Sequence, residues 1–215
     1  MTTTKKTEIE AKFVCPDGLT LDTILETIQS MELQYVRETP CFQTDTYLDT
    51  PEYTLLKSLT ALRIRQRGEN YVGACKSSGT QTGAIFERKE CEWTLSGDEI
   101  KLWTEEKKPS IPPSILTKFN LHGQTVRKVL VIETQRSTAI IRGNEGLKIE
   151  LSLDDVTFRG HKGKQFYREI EAELMDGPFE QFKDIANRLQ NLLHLQTAID
   201  SKYKQGMILV GKYSG

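Results

Sequence analysis

The stretch Glu8-Ile9-Glu10-Ala11-Lys12 near the start of the chain alternates charged side chains with apolar or small ones. Successive side chains of a β-strand point to opposite faces, so Glu8, Glu10 and Lys12 project together from one face. An ordinary half-buried strand carries one or two polar residues outward and seldom a dense row of mixed charges. The stretch therefore predicts a strand, over about residues 5–13, whose charged face has a use of its own.

Four later segments repeat this alternation, and each charged row has apolar residues on the opposite face of its strand. Leu62 and Ile64 oppose the arginine row, for example, and Ile170 opposes the last row. The charged rows are Arg63, Arg65 and Arg67; Arg88, Glu90 and Glu92; Glu150, Ser152 and Asp154; and Glu169, Glu171 and Glu173. If these strands form one sheet curled on itself, its concave face is a channel lined by carboxylates and guanidinium groups. Carboxylates bind hard divalent metals, and arginine and lysine bind phosphate.

A single charged row is also typical of the solvated outer face of a sheet, and for one row alone that interpretation is preferred. Here rows of both signs recur in neighbouring strands, and amphipathic helices are available to cover the apolar faces. This combination favours charges inside and helices outside. Closing the sheet would also remove its unpaired strand edges.

Sequence periodicity along the chain predicts mainly antiparallel β-structure with flanking helices. Strands are expected at about 5–13, 33–38, 42–48, 60–67, 71–76, 86–95, 128–135, 138–142, 147–156 and 165–174. Helices or helical turns are expected at about 19–31, 51–56, 96–103, 179–193 and 197–207, and loops at 77–83 and 160–163. There is no internal repeat and no linker of domain length, which predicts one domain over residues 1–215.

The composition describes a protein with a workable core, with 37% hydrophobic and 27% charged residues. The 29 basic and 30 acidic residues nearly balance, which argues against a nucleic-acid partner. No apolar run approaches the ~20 residues needed to span a bilayer, and no signal peptide is recognised. The four cysteines lack metal-ligand spacing, so we expect reduced thiols and a cytoplasmic protein without a membrane partner.

Other catalytic motifs are missing from the sequence. Residues 77–83 lack the Gly-Lys-Ser/Thr of a phosphate-binding P-loop. The three histidines, His122, His161 and His194, do not stand at ligand spacing, and no Ser-His-Asp or Cys-His arrangement is recognised. Any catalysis should therefore be based on a metal ion.

The Glu8-x-Glu10-x-Lys12 motif resembles the signature of the CYTH superfamily, the triphosphate tunnel metalloenzymes. One such motif is weakly specific, but a whole series follows in the family's order, over nearly the whole chain. The further matching elements are Tyr47-x-Asp49-Thr50-Pro51, Leu62-Arg63-Ile64-Arg65, Lys76, Glu90 with Glu92, Arg136, Glu150 with Asp154, Glu169 with Glu171, and Lys202 in a C-terminal helix.

The resemblance implies a closed eight-stranded antiparallel β-barrel tunnel with flanking helices, which binds triphosphate together with Mg²⁺ or Mn²⁺. The phosphate-binding residues that it implies are Lys12, Arg63, Arg65, Lys76, Arg136 and Lys202. The metal ligands that it implies are Glu8, Glu10, Glu90, Glu92, Glu150, Asp154, Glu169 and Glu171, and the catalytic residues are Glu10, Lys12 and Glu171. Divalent cations between the carboxylates and the phosphates explain why both signs of charge share one lining.

The substrate is expected to be a small-molecule triphosphate. Thiamine triphosphatases of the family carry a tryptophan just before the paired arginines, where this chain has Ala61, although Tyr47 or Trp93 could replace that ring. The His-Phe-Pro-Arg-Pro signature of class IV adenylyl cyclases is absent. Elimination favours inorganic triphosphate. The alternatives are a thiamine or nucleoside triphosphatase, a class IV-like adenylyl cyclase, and a non-catalytic polyphosphate-binding module. The protein is expected to be a monomer or a homodimer.

Overall fold

The strands of the chain join into one antiparallel sheet. The computed structural model describes residues 3–160 and 163–211. His161 and the middle of the predicted 160–163 loop therefore lie outside the described residues. The strands are β1 (Thr3–Val14), β2 (Gln34–Arg37), β3 (Cys41–Asp49), β4 (Ala61–Arg67), β5 (Asn70–Lys76), β6 (Thr80–Thr82), β7 (Ile85–Thr94), β8 (Arg127–Arg142), β9 (Lys148–Gly160), β10 (Gly163–Asp176) and β11 (Gln196–Thr197). The helices are α1 (Leu21–Ser30), α2 (Thr54–Lys57), α3 (Gly97–Glu106), α4 (Pro113–Lys118), α5 (Phe179–Leu192) and α6 (Lys202–Leu209).

Eight of the strands close into a barrel, as the family resemblance implies. They follow one another in the order β1-β10-β9-β8-β3-β4-β5-β7, and β7 pairs back with β1. Strand β1 closes the barrel because it is long enough to pair with both neighbours: residues Thr3 to Ala11 pair with β7 and residues Glu10 to Val14 pair with β10. Strands β2, β6 and β11 extend the sheet beside β8, β7 and β1.

The two faces of the sheet divide the charged and apolar rows as the alternation predicts. Ala11, Leu151 and Ile170 lie on the outer face and pack in a core beneath α1 and α5. Leu62 and Ile64 also lie outside, in a second core that includes Trp103 of α3 and Ile115 of α4. The charged side chains of the same strands therefore face the inside of the barrel.

Helix α6 is the exception to the expectation that helices cover the outside. Its Tyr203 and Met207 pack against Leu130 and Phe158, which lie on the same strand faces as the inward-pointing Arg136 and Asp154. The helix therefore fills one end of the barrel lumen. Gly206 makes this insertion possible, because a Cβ there would lie only 2.6 Å from Leu130 and 2.7 Å from Phe158.

Four local expectations were wrong. Residues 128–142 form one strand, β8, rather than two, because β9 pairs with it without a break from Ile132 to Arg142. The predicted loop at 77–83 contains β6, which pairs with the start of β7. Helix α4 was not anticipated. Helix α6 begins at Lys202, later than expected, because Gln196 and Thr197 pair with β1 as β11 and Ser201 caps the helix.

Among the described residues, no helix has the length and apolarity needed to cross a bilayer.

Asp49 connects the barrel wall to α2 and α6. Its fully buried carboxylate accepts hydrogen bonds from the backbone N–H groups of Thr50 (2.7 Å), Leu55 and Leu56 (2.9 Å each). The hydroxyl of Tyr203 donates a fourth, at 2.8 Å. The carboxylate thus serves the first N–H groups of α2, as a capping side chain usually does, and also holds α6 in the lumen.

We expect Asp49→Ala to lower the free energy of unfolding by about 2–4 kcal/mol, because four buried donors lose their acceptor. Tyr203→Phe removes only one donor and should cost about 1 kcal/mol. Denaturant unfolding of the two variants and the wild type measures both values. An Asp49→Ala variant as stable as the wild type would contradict this role.

Candidate functional site

The barrel encloses a cavity of about 170 Å³ whose wall is almost entirely charged. Side chains reach it from strands all around the barrel and from the first residues of α6. The charged residues of the wall are Lys6, Glu8, Lys12, Arg63, Arg65, Arg67, Lys76, Arg88, Glu90, Glu92, Arg136, Glu150, Glu171, Glu173 and Lys202. Such a lumen can bind a small, highly charged ligand and offers little to an apolar one.

The structure brings all the predicted site residues to this lumen. Eleven of them are among the wall residues just named: Glu8, Lys12, Arg63, Arg65, Lys76, Glu90, Glu92, Arg136, Glu150, Glu171 and Lys202. The other three, Glu10, Asp154 and Glu169, are buried directly behind the wall, at 3%, 0% and 0% exposure. They contact wall residues through the ion pairs described below.

Three carboxylates form a cluster at the end of the lumen closed by α6. Oxygens of Asp154, Glu169 and Glu171 lie within 4.8 Å of one another. The ammonium group of Lys202 lies among them, with Nζ 2.6 Å from Asp154 Oδ2, 2.5 Å from Glu169 Oε1 and 3.1 Å from Glu171 Oε1. The cluster already holds one cation supplied by the protein, which indicates that it favours positive charge.

Burial and the neighbouring charges act differently on the members of the cluster. Burial raises the pKa of Glu169 to about 7, and the nearby carboxylate of Glu171 adds to the effect while Lys202 opposes it. Burial acts in the same direction on Glu171, but Lys12, Lys202 and Arg136 outweigh it and hold its pKa well below the usual value. Glu171 is therefore ionised at neutral pH and is the member of the cluster that faces the cavity.

Arg136 and Lys12 both bind this carboxylate. The guanidinium of Arg136 donates two bonds to Asp154, at 2.8 and 2.6 Å, and a further bond to Glu171. Nζ of Lys12 lies 2.5 Å from Glu171 Oε1 and 3.3 Å from Glu10 Oε2. Because the carboxylates fix both side chains in place, little ordering is needed when a ligand binds.

A second acidic group lies on the β1–β7 wall. Lys76 donates to Glu8 and lies 3.4 Å from Glu90 Oε1, and Arg88 donates to Glu10. Within the described part of the chain, two buried oxygens of this group, Glu8 Oε2 and Glu90 Oε1, accept no hydrogen bond. Each of these oxygens has a cation nearby, Lys76 at 3.4 Å from Glu90 and Arg88 at 3.6 Å from Glu8, but neither contact is a hydrogen bond. This wall can therefore also coordinate a metal ion.

The two arginines of the Leu62-Arg63-Ile64-Arg65 motif differ in how they are held. Arg65 donates two bonds to the fully buried Asp45, at 2.7 and 2.9 Å. Arg63 makes a longer contact with the same carboxylate, 3.7 Å from its Nε to Asp45 Oδ1. This buried Nε donates no hydrogen bond to the described residues. Burial would raise the pKa of Asp45, but Arg65 and Arg63 hold it below its usual value. Arg63 thus has more donor capacity left for a ligand.

The lumen contains no free aromatic face for an organic head group among the described residues. Ala61 lines the cavity as expected. Tyr47 also lines it, but its ring stacks on Tyr203 with centroids 4.9 Å apart. Trp93 is on the outer face, 2% exposed, and its indole N–H donates to the carbonyl of Ser110. Trp93 cannot replace the missing tryptophan.

Several wall residues were not assigned a role from the sequence. These are Lys6, Arg67, Arg88 and Glu173, together with Asp45, which is buried behind Arg65. Arg67, Arg88 and Glu173 belong to the alternating rows and Lys6 extends the first of them, so strict use of the period-two pattern would have included all four. Asp45 could have been found by the same rule, because it lies two residues before Tyr47 on β3.

The residues of the lumen fit a hard divalent cation. The acidic cluster and the β1–β7 wall offer carboxylate oxygens, which Mg²⁺ and Mn²⁺ prefer, and Glu8 Oε2 and Glu90 Oε1 accept no hydrogen bond from the described residues. Among those residues, no thiol or imidazole lines the cavity.

Comparison with known proteins agrees with this geometry. The chain matches none of the curated protein sequences. Its fold is similar to that of a protein from Hippeastrum described as a putative adenylyl cyclase with a dominant triphosphatase activity (18% identity, TM-score 0.62, 96% of this chain and 97% of that one). It is also similar to a putative adenylate cyclase from Bacillus halodurans (20% identity, TM-score 0.62, 94% and 97%). The model of the CYTH domain family matches residues 6–203. The chain therefore belongs to the CYTH family.

Proposed function

We propose that the chain is a divalent-metal-dependent triphosphatase that hydrolyses inorganic triphosphate to diphosphate and phosphate. The observation that carries the proposal is the lumen itself. Arginines and lysines that suit phosphate share one cavity with carboxylates that suit a hard metal ion. A site for a simple anion would not need the carboxylates, since they repel it.

The basic residues of the lumen bind the substrate in this proposal. A triphosphate carries about four negative charges, and Lys12, Arg63, Arg65, Lys76, Arg136 and Lys202 all face the cavity. Arg63 is the strongest candidate for a direct contact, because its ion pair with Asp45 is made by Nε at 3.7 Å and leaves its two terminal nitrogens outside that pair. Arg65 is oriented by Asp45 and would contact phosphate with its remaining nitrogen.

The carboxylates hold the metal in this proposal. Glu8, Glu10, Glu90, Glu92, Glu150, Asp154, Glu169 and Glu171 are the candidate ligands. A bound Mg²⁺ or Mn²⁺ would neutralise phosphate charge and lower the pKa of a water. Glu171 is the best supported ligand, since it belongs to the acidic cluster and reaches the cavity.

The catalytic residues that we propose are Glu10, Lys12 and Glu171. The ammonium of Lys12 lies between the two carboxylates. From this position Lys12 can offset the charge that grows on the departing diphosphate, and the carboxylates beside it can orient the attacking water. Positioning and electrostatic stabilisation account for most of the catalysis of phosphoryl transfer.

Inorganic triphosphate is the proposed substrate because most residues of the wall are charged and no aromatic face is free among the described residues. The Hippeastrum relative supports the class of reaction, because it is described as mainly a triphosphatase. We further propose that residues 1–215 act as one unit in the cytoplasm, as a monomer or a homodimer. Neither nucleic acid nor a membrane is required as a partner.

We expect the purified protein to release phosphate from inorganic triphosphate with Mg²⁺ or Mn²⁺, and to lose this activity in excess EDTA. Thiamine triphosphate and ATP should be poorer substrates by about one to two orders of magnitude in kcat/KM, since no ring of the described residues is free to stack on the head group. One panel should measure phosphate, diphosphate and cyclic AMP under a single metal condition.

Full activity in EDTA would contradict the metal proposal. A kcat/KM for thiamine triphosphate at or above that for inorganic triphosphate would contradict the substrate. Formation of cyclic AMP from ATP would instead support the cyclase alternative, and binding of triphosphate without turnover would support a binding module.

A further inference from the structure

A groove of about 470 Å³ lies on the outside of the barrel, between α4 and the outer face of β1 and β7. It is larger than the cavity of the lumen. Its β-sheet wall carries Lys5, Thr7 and Lys89, and its helical wall carries Ser114 and Lys118. Thr7 and Lys89 are directly paired across the two strands, so both side chains point to the same outer face.

The floor of the groove is apolar. It consists of Ile115 and of Cys75 and Cys91, which stand opposite each other on β5 and β7. Burial raises the pKa of the Cys75 thiol to about 12, so this side chain is neutral at physiological pH. Neutral buried thiols behave as small apolar groups.

The rim of the groove is basic and not neutralised by the protein. Among the described residues, Lys5, Lys89 and Lys118 form no ion pair, whereas Lys6 at the same place turns into the lumen and contacts Glu173 and Glu90. The ammonium of Lys118 lies 4.9 Å from the ring centre of Phe119. Glu90 also lines the groove, but its carboxylate forms ion pairs with Lys6 and Lys76. Three lysines without an ion pair among the described residues therefore line one depression in a protein whose net charge is −1.

We propose that this groove is a second binding site, separate from the lumen, for a small amphipathic anion. The ligand has an apolar body, such as an acyl chain or an aromatic ring, and carries a phosphate, sulfonate or carboxylate group. The body contacts Ile115, Cys75 and Cys91, and the anionic group contacts Lys5, Lys89 and Lys118.

Size and charge support this class of ligand over others. The volume falls within the roughly 300–1,000 Å³ typical of small-molecule sites, which combine an apolar lining with a few polar groups. A protein partner usually needs a flatter surface of about 800 Å² on each side. Inorganic phosphate would leave the apolar floor without a contact. The proposal does not depend on the triphosphatase function.

The test uses 8-anilinonaphthalene-1-sulfonate as the probe, because it is an amphipathic anion and accepts energy from tryptophan. Both tryptophans of the chain, Trp93 and Trp103, pack in the same core as the groove floor. We expect saturable quenching of tryptophan fluorescence by one equivalent of probe. Monomeric dodecyl phosphate should displace the probe, and inorganic phosphate or triphosphate at the same concentration should not.

Matched variants locate the probe. The Lys89→Glu/Lys118→Glu variant should raise its Kd at least about tenfold, because two favourable charges become unfavourable. The Lys101→Glu/Lys164→Glu variant has the same net charge but changes exposed lysines elsewhere, and should bind like the wild type. Ser114→Phe, which fills the groove from an exposed position without a charge change, should also weaken binding. Arg63→Ala should leave probe binding unchanged, and the groove variants should keep their triphosphate hydrolysis.

The proposal is overturned if the wild type shows no saturable binding, or if both double variants bind the probe equally. Displacement of the probe by inorganic triphosphate would place it in the lumen and would overturn the proposal too.

Discussion

Glu171→Gln should lower kcat/KM for triphosphate by at least about 10³-fold while the protein stays folded. The carboxylate is bound by Lys12, Arg136 and Lys202, and it is the ionised member of the acidic cluster that faces the cavity. The amide keeps the shape but has one acceptor oxygen where the carboxylate has two, so it can accept from the two lysines or from Arg136, but not from all three. It removes the negative charge that the proposed metal requires. Initial rates over a range of Mg²⁺ concentrations would measure the loss, and circular dichroism would verify the fold.

Glu173→Gln is the matched control for this prediction. Glu173 is two residues further along β10 and lines the same cavity. Within the described part of the chain its only ion pair is with Lys6, and it lies outside the acidic cluster. We expect this variant to keep its activity within about tenfold of the wild type. Equal losses in the two variants would show that any charge change in the lumen is harmful. The specific role of Glu171 would then be wrong.

Arg63→Ala and Arg65→Ala should separate substrate binding from stability. Arg63→Ala is expected to lower kcat/KM about 10²–10³-fold with little change in stability, because its contact with Asp45 is long and not bidentate. Arg65→Ala should lower the free energy of unfolding by about 3–5 kcal/mol, because the fully buried Asp45 loses its bidentate partner. Steady-state kinetics and denaturant unfolding of both variants test the two halves of this prediction.

Two further measurements test the roles of Asp45 in stability and of Arg63 in substrate binding. Asp45→Asn in the Arg65→Ala background should restore part of the lost stability, since it removes the uncompensated charge. Triphosphate should raise the melting temperature of the wild type more than that of Arg63→Ala. If triphosphate stabilises both equally, Arg63 does not bind it.

The architecture of the lumen could be predicted because it depends on a local rule. Strand residues two apart share a face, so the row that begins at Glu8 had to face one way and Ile9 and Ala11 the other. The apolar rows then needed cover from helices outside, which left the charges inside. The structure agrees for each row, from Arg63 to Glu171.

The insertion of α6 could not be predicted in the same way. Its buried residues are Lys202, Tyr203, Gly206 and Met207, which do not form one apolar stripe, because the helix is enclosed by both charged and apolar parts of the barrel wall. The break expected within β8 was wrong for a related reason. The sequence pattern predicted an interruption between residues 135 and 138, but the pairing of β8 with β9 continues through Ser137.

The unequal state of Arg63 and Arg65 also depends on tertiary contacts. Both residues have the same spacing and the same local sequence, and only the position of Asp45 on the neighbouring strand distinguishes them. The sequence pattern of one strand does not predict which of its two arginines will pair with a carboxylate on the neighbouring strand.

The closure of the barrel by β1 has a consequence for how the chain folds. Strand β1 needs β10 as a partner, and the contact of Lys12 with Glu171 joins residues 159 positions apart. Pairings over such separations slow folding, to roughly milliseconds to seconds for β-rich topologies. During that interval the sheet is open, and its edges could join those of other molecules. The concave face of the open sheet carries the rows of like and unlike charges, which keep it hydrated and discourage stacking between copies. The residues that line the tunnel therefore also protect the chain from aggregation before the tunnel exists.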